Sequence, residues 1–288
     1  MVKQLIVNAD DLGADEARNR GIFEAIEVGA VTSVSLLANG PAFDDALRRI
    51  RSMGSTKVSF GLHLNLSEGK PLLSDLRILV GPDGCFLGKA PTHRLLMQDG
   101  NTALRKEVSR ELFAQMEVFR SAGIGIQHID GHQHVHVFPA VCRSVVQGAE
   151  SHRIPWMRIP EEACLSDQRV DIPFSLREET LLFSRLARSA RHELNGTRIR
   201  TTDHFRGLYL KGRFSPLTLE KTVQSLPSGL TELMVHPGRV LVALPTSLFS
   251  TFSNRDREQE LEALLNRRFR EILEIENIDL TPFPETAS

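Results

Sequence analysis

Gln127-His128-Ile129-Asp130-Gly131-His132-Gln133-His134-Val135-His136 is the stretch on which the interpretation of this sequence depends. Four of the ten histidines and one aspartate lie here within nine residues. Imidazole and carboxylate groups are common ligands of catalytic divalent metals. One isolated histidine is more often a structural residue than a ligand. Four of them with an aspartate favour a metal or catalytic site over a surface patch or a set of core histidines.

The spacing of these side chains limits how many can bind one ion. They occupy every second position, and on a strand such residues share a face at intervals of about 6.6 Å. Two ligand atoms on one zinc ion lie only about 3.4 Å apart. We therefore expect one or two ligands from this stretch and the others from elsewhere in the chain. Glycine favours a change of direction, so we expect the chain to leave the strand at Gly131.

Outward from this stretch, short apolar runs alternate with helical patterns along the whole chain. The runs predict strands, and the run at 126–130 carries the histidine-rich stretch at its carboxyl end. The pattern predicts an α/β fold, a single distorted (β/α) barrel of about seven parallel strands spanning residues 1–288. An open doubly wound sheet is the alternative. No Gly-x-Gly-x-x-Gly follows the first run, so a dinucleotide site has little support.

Polar side chains follow four of the predicted strands at their carboxyl ends. Each has an ordinary explanation when taken alone: a turn with a helix cap for paired aspartates, and a core position for a histidine. In a barrel, however, the carboxyl ends of the strands meet at one face. We therefore expect these residues to converge on one site: Asp10 with Asp11, His63, Asp130 with His132, and His236.

Residues 65–100 lack a strong periodicity and are rich in Gly, Pro and Asp. A stretch of this length without regular elements in a compact domain is usually functional or mobile. We expect it to form a segment that covers the site.

Composition excludes several classes of function. The formal net charge of −1 provides no field that would attract nucleic acid or an anionic membrane. Cys85, Cys142 and Cys164 are far apart, which argues against a disulfide framework or a cysteine zinc site and fits a reducing compartment. No apolar run resembles a signal peptide or a membrane span. We expect a cytoplasmic protein without a nucleic-acid partner.

One aspartate and two histidines, with positions left for water, are typical of a catalytic metal site. Hydrolysis of an amide needs a deprotonated water, a stabilised oxyanion and a proton for the leaving amine. A metal supplies the first two in part. A second carboxylate can take the proton of the water, and a separate histidine can give one to the amine. Asp10 and His236 suit these two roles.

At these positions the sequence resembles the YdjC-like carbohydrate deacetylases, which include chitooligosaccharide deacetylase and the hopanoid-biosynthesis deacetylases. The resemblance covers most of the chain. Between about 160 and 230 it is confined to Phe205-x-Gly207-x-Tyr209. The matching segments are residues 5–13 (LIVNADDLG), 31–33 (VTS), 61–64 (GLHL), 69–72 (GKPL), 128–136 (HIDGHQHVH) and 234–238 (MVHPG).

The resemblance implies a distorted (β/α) barrel that hydrolyses N-acetyl groups of amino sugars, whether free, in oligosaccharides or in conjugates. Carried over by position, Asp11, His63 and His132 are the metal ligands, Asp10 is the base and His236 is the acid. Two histidines with one aspartate favour zinc over magnesium, and related deacetylases are associated with either ion. The resemblance also implies a homodimer.

Three further residues are candidates for substrate binding. Arg158 follows a predicted strand and could hold a substrate oxygen, tune Asp10 or be structural. Tyr209 could stack on a sugar ring, although core packing is the more frequent role of such a residue. His134 lies in the histidine-rich stretch without a ligand role and could contact the substrate.

Two other functions fit parts of the pattern. A non-catalytic metal- or sugar-binding barrel protein would use the same ligands, but it would not need a second acid beside the ligand aspartate. A phosphoesterase with two metals would need a bridging carboxylate and more acidic ligands than the sequence provides.

Overall fold

The computed structural model describes residues 2–54, 57–163, 172–240, 249 and 254–285. Within these residues the strands are β1 (Lys3–Leu12), β2 (Ser33–Leu36), β3 (Ser59–Leu64), β4 (His128–Gly131), β5 (Trp156–Met157), β6 (His204–Arg206), β7 (Gly229–Val235) and β8 (Ile278–Leu280). Cys85 and Cys142 are free thiols, and Cys164 lies outside the described residues.

Helices follow most of the strands. They are α1 (Glu16–Glu27), α2 (Phe43–Ser52), α3 (Lys89–Leu96), α4 (Thr102–Ala122), α5 (Pro139–Ser151), α6 (Phe174–Glu193), α7 (Pro216–Gln224), α8 (Asn254–Leu265) and α9 (Arg267–Ile275). Two short 3-10 segments, His132–Val137 and Leu208–Leu210, follow β4 and β6 directly.

The strands form one curled parallel sheet in the order β5-β4-β3-β2-β1-β7-β6, and β8 pairs with the start of β1. The order is sequential from β1 to β5, with β7 and β6 on the other side of β1. A barrel opened between β5 and β6 has this order, whereas a doubly wound sheet reverses direction at a switch point. A parallel bridge between Trp156 and Arg200 joins the two open edges at one level. The predicted distorted (β/α) barrel is confirmed.

Alternate residues of β1 pack on opposite sides of the sheet. Leu5 belongs to the main core, which also contains buried side chains of the helices. Ile6 lies in a smaller apolar cluster with Trp156, Leu230 and Phe283. Alternation of this kind is the rule for strands, and here it leaves the concave side of the sheet with an apolar floor.

Beyond this floor the side chains on the concave side are polar. A barrel interior is normally filled with branched apolar residues, so this polar layer is the first structural sign of a functional site. All of these side chains are buried, and they come from β1, β3, β4, the end of β5, and β7: Asn8, Asp10, His63, Asp130, Arg158 and Glu232.

Asp10 and Asp11 do not form the helix cap that was the ordinary explanation for paired aspartates. Asp10 and Asp11 lie within β1, and the residue that caps α1 is Asp15, whose Oδ1 accepts from the Arg18 N–H at 2.8 Å. The stretch at 65–100 is not wholly irregular, because it contains α3. None of the described helices is long and apolar enough to cross a membrane.

Candidate active site

Asp11, His63 and His132 form a compact buried cluster at the carboxyl ends of β1, β3 and β4. One ligand atom from each lies within 4.8 Å of the others. Oδ1 of Asp11 is 2.8 Å from Nδ1 of His132 and 3.3 Å from Nε2 of His63. The structure thus brings together the three residues that the sequence predicted as ligands.

A bulge in β1 allows two adjacent aspartates to reach one site. Neighbouring residues of a regular strand face opposite sides, so Asp11 would point away from Asp10. The pairing of β1 with β2 shifts register between Ala9 and Leu12, and Asp11 has a φ of +68°. A bulge redirects side chains in this way, and aspartate tolerates the left-handed region better than most residues.

The turn after β4 separates the histidines of the motif. β4 ends at Gly131, as expected from the sequence, but this glycine is itself extended, with a φ of −158°. The chain turns at Gln133 and His134, whose φ values are +53° and +59°. Gly131 is needed for another reason, since a Cβ there would lie 3.0 Å from the backbone nitrogen of His136.

Each histidine of the cluster has a second carboxylate behind it. Nδ1 of His63 is 2.8 Å from Oδ1 of Asp130, and Nε2 of His132 is 2.9 Å from Oε2 of Glu68. Metal-bound histidines commonly have their other ring nitrogen against a carboxylate, which fixes the tautomer and raises the basicity of the ligand. Asp130 and Glu68 already occupy these positions behind His63 and His132.

The electrostatics of the cluster favour a cation. Burial lowers the pKa of His63, but Asp130 and Asp10 outweigh it and raise the pKa to about 10. Burial likewise opposes protonation of His132, yet Asp11 raises its pKa. The carboxylates around both imidazoles therefore favour a positive charge between them. A divalent ion would supply such a charge, so the donor set fits an ion of this kind.

A second group, Asp10, His63 and Asp130, is also compact enough to hold a metal. Here the guanidinium of Arg158 already contacts both carboxylates, at 2.7 Å for Asp10 and 2.8 Å for Asp130. An ion would have to compete with this cation. Asp11, His63 and His132 are therefore the better candidate ligands.

Arg158 is fully buried beneath Asp10. Nη1 and Nη2 donate to the two oxygens of Asp10, both at 2.7 Å, and Nε donates to Oε1 of Glu232 at 2.7 Å. A bidentate pair of this type fixes the plane of the carboxylate. Arg158 does not line the cavity at the site, and its contacts fit the interpretation that it tunes Asp10.

His236 lies at the same level as Asp10, immediately after β7. Its Nε2 is 4.0 Å from Oδ2 of Asp10. Its backbone N–H donates to Oε2 of Glu260, on α8. Burial lowers the pKa of His236 to about 4, against the opposing effect of Asp10. The free imidazole is therefore neutral near pH 7.

A cavity of about 300 Å³ opens above these groups. It is lined by both predicted catalytic residues, the three predicted ligands and His134, and the covering segment contributes Glu68 and Lys89. Apolar side chains of α6, the second 3-10 segment and the end of β7 also line it: Leu176, Phe183, Leu208 and Met234. Tyr209 is buried and is not part of the lining.

The interpretation of the sequence did not identify several residues of the site. Glu68 directly precedes the Gly69-Lys70-Pro71 motif, so its position next to that motif was the available signal. Arg257 donates to Oδ2 of Asp11 at 2.7 Å, and Glu260 lies one turn later on α8. These two residues belong to no motif, and only the contacts that they make from α8 with Asp11 and His236 reveal them.

Comparisons with known proteins identify the family of this chain. The family model described as "YdjC-like protein" matches residues 4–275. A mouse (Mus musculus) protein described as carbohydrate deacetylase is 37% identical over 248 residues, 82% of this chain and 78% of that protein. A Brevibacillus brevis protein with the same description is 29% identical, covering 98% of this chain and 99% of that protein.

A solved structure has the same fold. The crystal structure of an Enterococcus faecalis V583 protein, described as a candidate cellobiose-phosphate cleavage protein, aligns with a TM-score of 0.74. The alignment covers 98% of each chain at 24% identity. The family model spans nearly the whole chain and the mouse relative is well above 30% identical, so this chain belongs to the YdjC-like protein family.

Proposed function

We propose that this protein is a metal-dependent carbohydrate deacetylase that hydrolyses the N-acetyl group of an amino sugar. The observation that carries the proposal is the buried Asp11–His63–His132 cluster, with a carboxylate behind each histidine and with Asp10 and His236 beside it. The relatives described as carbohydrate deacetylases support a sugar as the substrate.

Asp11, His63 and His132 would hold one divalent ion, zinc or magnesium. The two imidazoles favour zinc, because magnesium prefers ligands that are all oxygen. When bound, such an ion lowers the pKa of a water and polarises the acetamide carbonyl. Asp130 and Glu68 orient the two imidazoles, and Arg257 holds the second oxygen of Asp11.

Asp10 is the general base of the proposed reaction. Arg158 fixes its carboxylate, and Oδ2 remains at the cavity, 4.0 Å from Nε2 of His63 and of His236. This oxygen is in position to take the proton of the attacking water. General-base catalysis of this kind contributes about 10²- to 10⁴-fold to a rate.

His236 delivers a proton to the departing amine. Its pKa of about 4 means that the imidazole is neutral before the reaction, so it must first receive a proton. Asp10 is the nearby donor once it has taken the proton of the water. A ring with so low a pKa is then a strong acid, which suits protonation of a poor leaving group.

The first test is the release of acetate by the purified protein. The panel comprises N-acetylated monosaccharides, chitooligosaccharides, and nucleotide- and lipid-linked forms. Each is incubated with metal-stripped protein and then with zinc or magnesium restored. Release that depends on the metal is expected for at least one class. If protein that holds one metal ion releases acetate from no member of the panel, the alternative of a non-catalytic metal- or sugar-binding barrel would be favoured.

The Asp10→Asn variant tests the assigned roles. We expect kcat to fall by about 10³-fold while one metal ion per chain is retained, measured by elemental analysis. Asp279→Asn, an exposed change on β8, is the matched control and should leave both quantities unchanged. Loss of metal from Asp10→Asn would show that Asp10 is a ligand and that the division of roles is wrong.

A further inference from the structure

A second cavity lies where the barrel is open between β5 and β6. Its volume is about 290 Å³, and it is formed by the chain after β5, by α6, and by β6 with the residues that precede it. Among the described residues, none lines both this cavity and the active-site cavity. Three arginines line the second cavity: Arg188 and Arg191 on α6, and Arg206 at the end of β6.

Arg206 is buried, with 8% of its surface exposed, and its hydrogen-bonding capacity is only partly used. Nη1 donates to the carbonyl oxygen of Phe205 at 3.0 Å. In the part of the chain that the structure describes, Nε has no hydrogen-bond partner, and no carboxylate oxygen lies within 4.0 Å of the guanidinium. A buried cationic donor without an acceptor is unfavourable, so an anion in the cavity would stabilise it.

Two carboxylates at the cavity are held by backbone donors. Oε2 of Glu162 accepts the N–H of Leu208 at 2.6 Å, and Oδ2 of Asp203 accepts the N–H of Leu230 at 2.8 Å. Burial raises the pKa of Glu162 to about 7, against the opposing effect of Arg206, so near pH 7 this carboxyl group is only partly ionised. Both acids are therefore engaged by groups other than the guanidinium of Arg206.

The two arginines of α6 share a third carboxylate. Nη1 of Arg188 is 3.1 Å from Oε1 of Glu161, and Nη2 of Arg191 is 3.8 Å from its Oε2. The side chains of Arg188 and Arg191 are 55% and 45% exposed, so a ligand that enters from solvent can reach both. A guanidinium has five N–H donors, and each of these arginines keeps donors for a second anion.

We propose that the second cavity binds a phosphate group, as inorganic phosphate or as a monoester of a small molecule. Arg206 is the buried contact, and Arg188 and Arg191 are the outer contacts. Phosphate oxygens point in several directions, so one phosphate can accept from more than one guanidinium. A cavity of about 290 Å³ is at the small end of the range for ligand sites, which fits a ligand of this size. The proposal does not depend on the deacetylase function of the other cavity.

A purely structural role of Arg206 is the competing explanation. Its charge favours ionisation of the buried Glu162, and this effect alone could account for an arginine at the end of β6. Such a role requires no ligand. It predicts that phosphate does not bind at this cavity and that the two exposed arginines of α6 have no common ligand with Arg206.

Calorimetric titrations of the full-length protein test the site, with inorganic phosphate and with glycerol 3-phosphate as the ligands. Each is added to metal-stripped and to metal-loaded protein. We expect one molecule of at least one ligand to bind per chain in both forms of the protein. The tighter ligand identifies the source, free phosphate or a monoester. Absence of binding by both, or binding only where the metal ion itself can attract phosphate, would overturn the proposal.

Substitutions of the arginines assign the binding to this cavity. Arg206→Gln should lower affinity for the tighter ligand by at least about 10-fold, because a charge-assisted contact is lost. Arg191→Gln should lower it by about 3-fold, since solvent screens this exposed side chain. Arg185→Gln is the matched control, because Arg185 is exposed on α6 and does not line the cavity. Equal affinity in the wild type and in Arg206→Gln would reject the site.

Chemical modification locates the ligand in the wild type, without a substitution that could disturb folding. Phenylglyoxal reacts with accessible arginines, and peptide mass spectrometry measures the modified fraction at each position. Phosphate should slow modification of Arg188 and Arg191 at least about 3-fold and leave Arg185 unchanged. Equal modification of Arg188 and Arg191 with and without phosphate would show that the anion binds elsewhere and would overturn the proposal.

Discussion

His63 and His132 each have both ring nitrogens engaged by carboxylates, and this sets the chemistry of the site at the scale of single residues. Asp11 lies between them, while Asp130 and Glu68 lie behind. A carboxylate on the outer nitrogen fixes which nitrogen bears the proton and increases the electron density on the other. The covering segment contributes to this arrangement through Glu68, which also accepts from Nε2 of Gln133 at 2.7 Å.

Glu68→Gln should weaken metal binding without abolishing it. The amide retains the shape of the side chain but loses the negative charge behind His132, and such outer partners are worth about 10- to 100-fold in metal affinity. Titration of the metal-free protein with zinc in a calorimeter measures the change. Glu107→Gln is a suitable control, because Glu107 caps backbone N–H groups of the covering segment away from the cluster. Unchanged zinc affinity in Glu68→Gln would exclude this role.

At the scale of elements, Glu162 connects the segment after β5 to α6 and to the second 3-10 segment, both of which line the cavity. It is buried just after β5, and its Oε2 accepts backbone N–H groups from Gly207, Leu208 and Tyr209 at 3.1, 2.6 and 3.3 Å. Its own N–H donates to Oγ of Ser184 on α6 at 3.2 Å. The 3-10 segment with Leu208, which lines the cavity, is thus fixed by a single carboxylate oxygen.

Gly207 allows the turn between β6 and the second 3-10 segment. Its φ is +132°, and a Cβ there would lie 2.7 Å from the carbonyl oxygen of Met234. The Phe205-x-Gly207-x-Tyr209 motif therefore has a structural basis: the glycine allows close contact with β7, and the following residues are fixed by Glu162. Since Leu208 and Met234 both line the cavity, this contact shapes the wall on which a sugar would pack.

Glu162→Ala should disturb substrate binding more than the chemical step. Three buried N–H groups would lose their acceptor, at a cost of about 2–4 kcal/mol in the free energy of unfolding, and Leu208 would lose its fixed position. We expect KM to rise by about 10-fold, while kcat changes by less than about 3-fold. Glu162→Gln retains an acceptor oxygen, so its KM should be close to that of the wild type. A fall in kcat with an unchanged KM would contradict this role.

At the scale of the whole molecule, buried imidazoles make stability depend on pH. Burial lowers the pKa of His128, His136 and His236 to about 4, below the value of about 6.5 in an unfolded chain. Between these values the unfolded chain binds more protons than the folded one. The stability that these residues contribute is present above pH 6.5 and is lost as the pH falls towards 4.

His136→Gln should reduce this loss. Each such histidine accounts for about 3 kcal/mol between pH 6.5 and 4. A glutamine in its place does not titrate, and its amide can still donate to the carbonyl of Arg158, which Nε2 of His136 now approaches at 3.0 Å. Urea unfolding of the metal-free protein at several pH values measures the slope. His192→Gln, an exposed change on α6, is the control, and equal slopes in both variants would refute the assignment.

The sequence alone determined the family, the alternation of strands and helices, and the set of candidate residues at strand ends. These depend on local patterns: period-two and helical apolar spacing, and polar residues where apolar runs end. The confirmed barrel follows from that alternation, because parallel strands need helical connections. The roles of Asp10, Asp11, His63, His132 and His236 stay predictions, although the structure brings these five residues into one cavity.

Which partners two adjacent residues take depends on the tertiary structure. The bulge in β1 turns Asp11 towards His63 and His132 while Asp10 pairs with Arg158, and no local pattern distinguishes two adjacent aspartates. Glu68, Arg257 and Glu260 likewise join the site through contacts with residues more than twenty positions away. The physical reason is that hydrogen bonds and ion pairs depend on distances in space, and those distances exist only once the sheet has curled and the covering segment and α8 have packed against it.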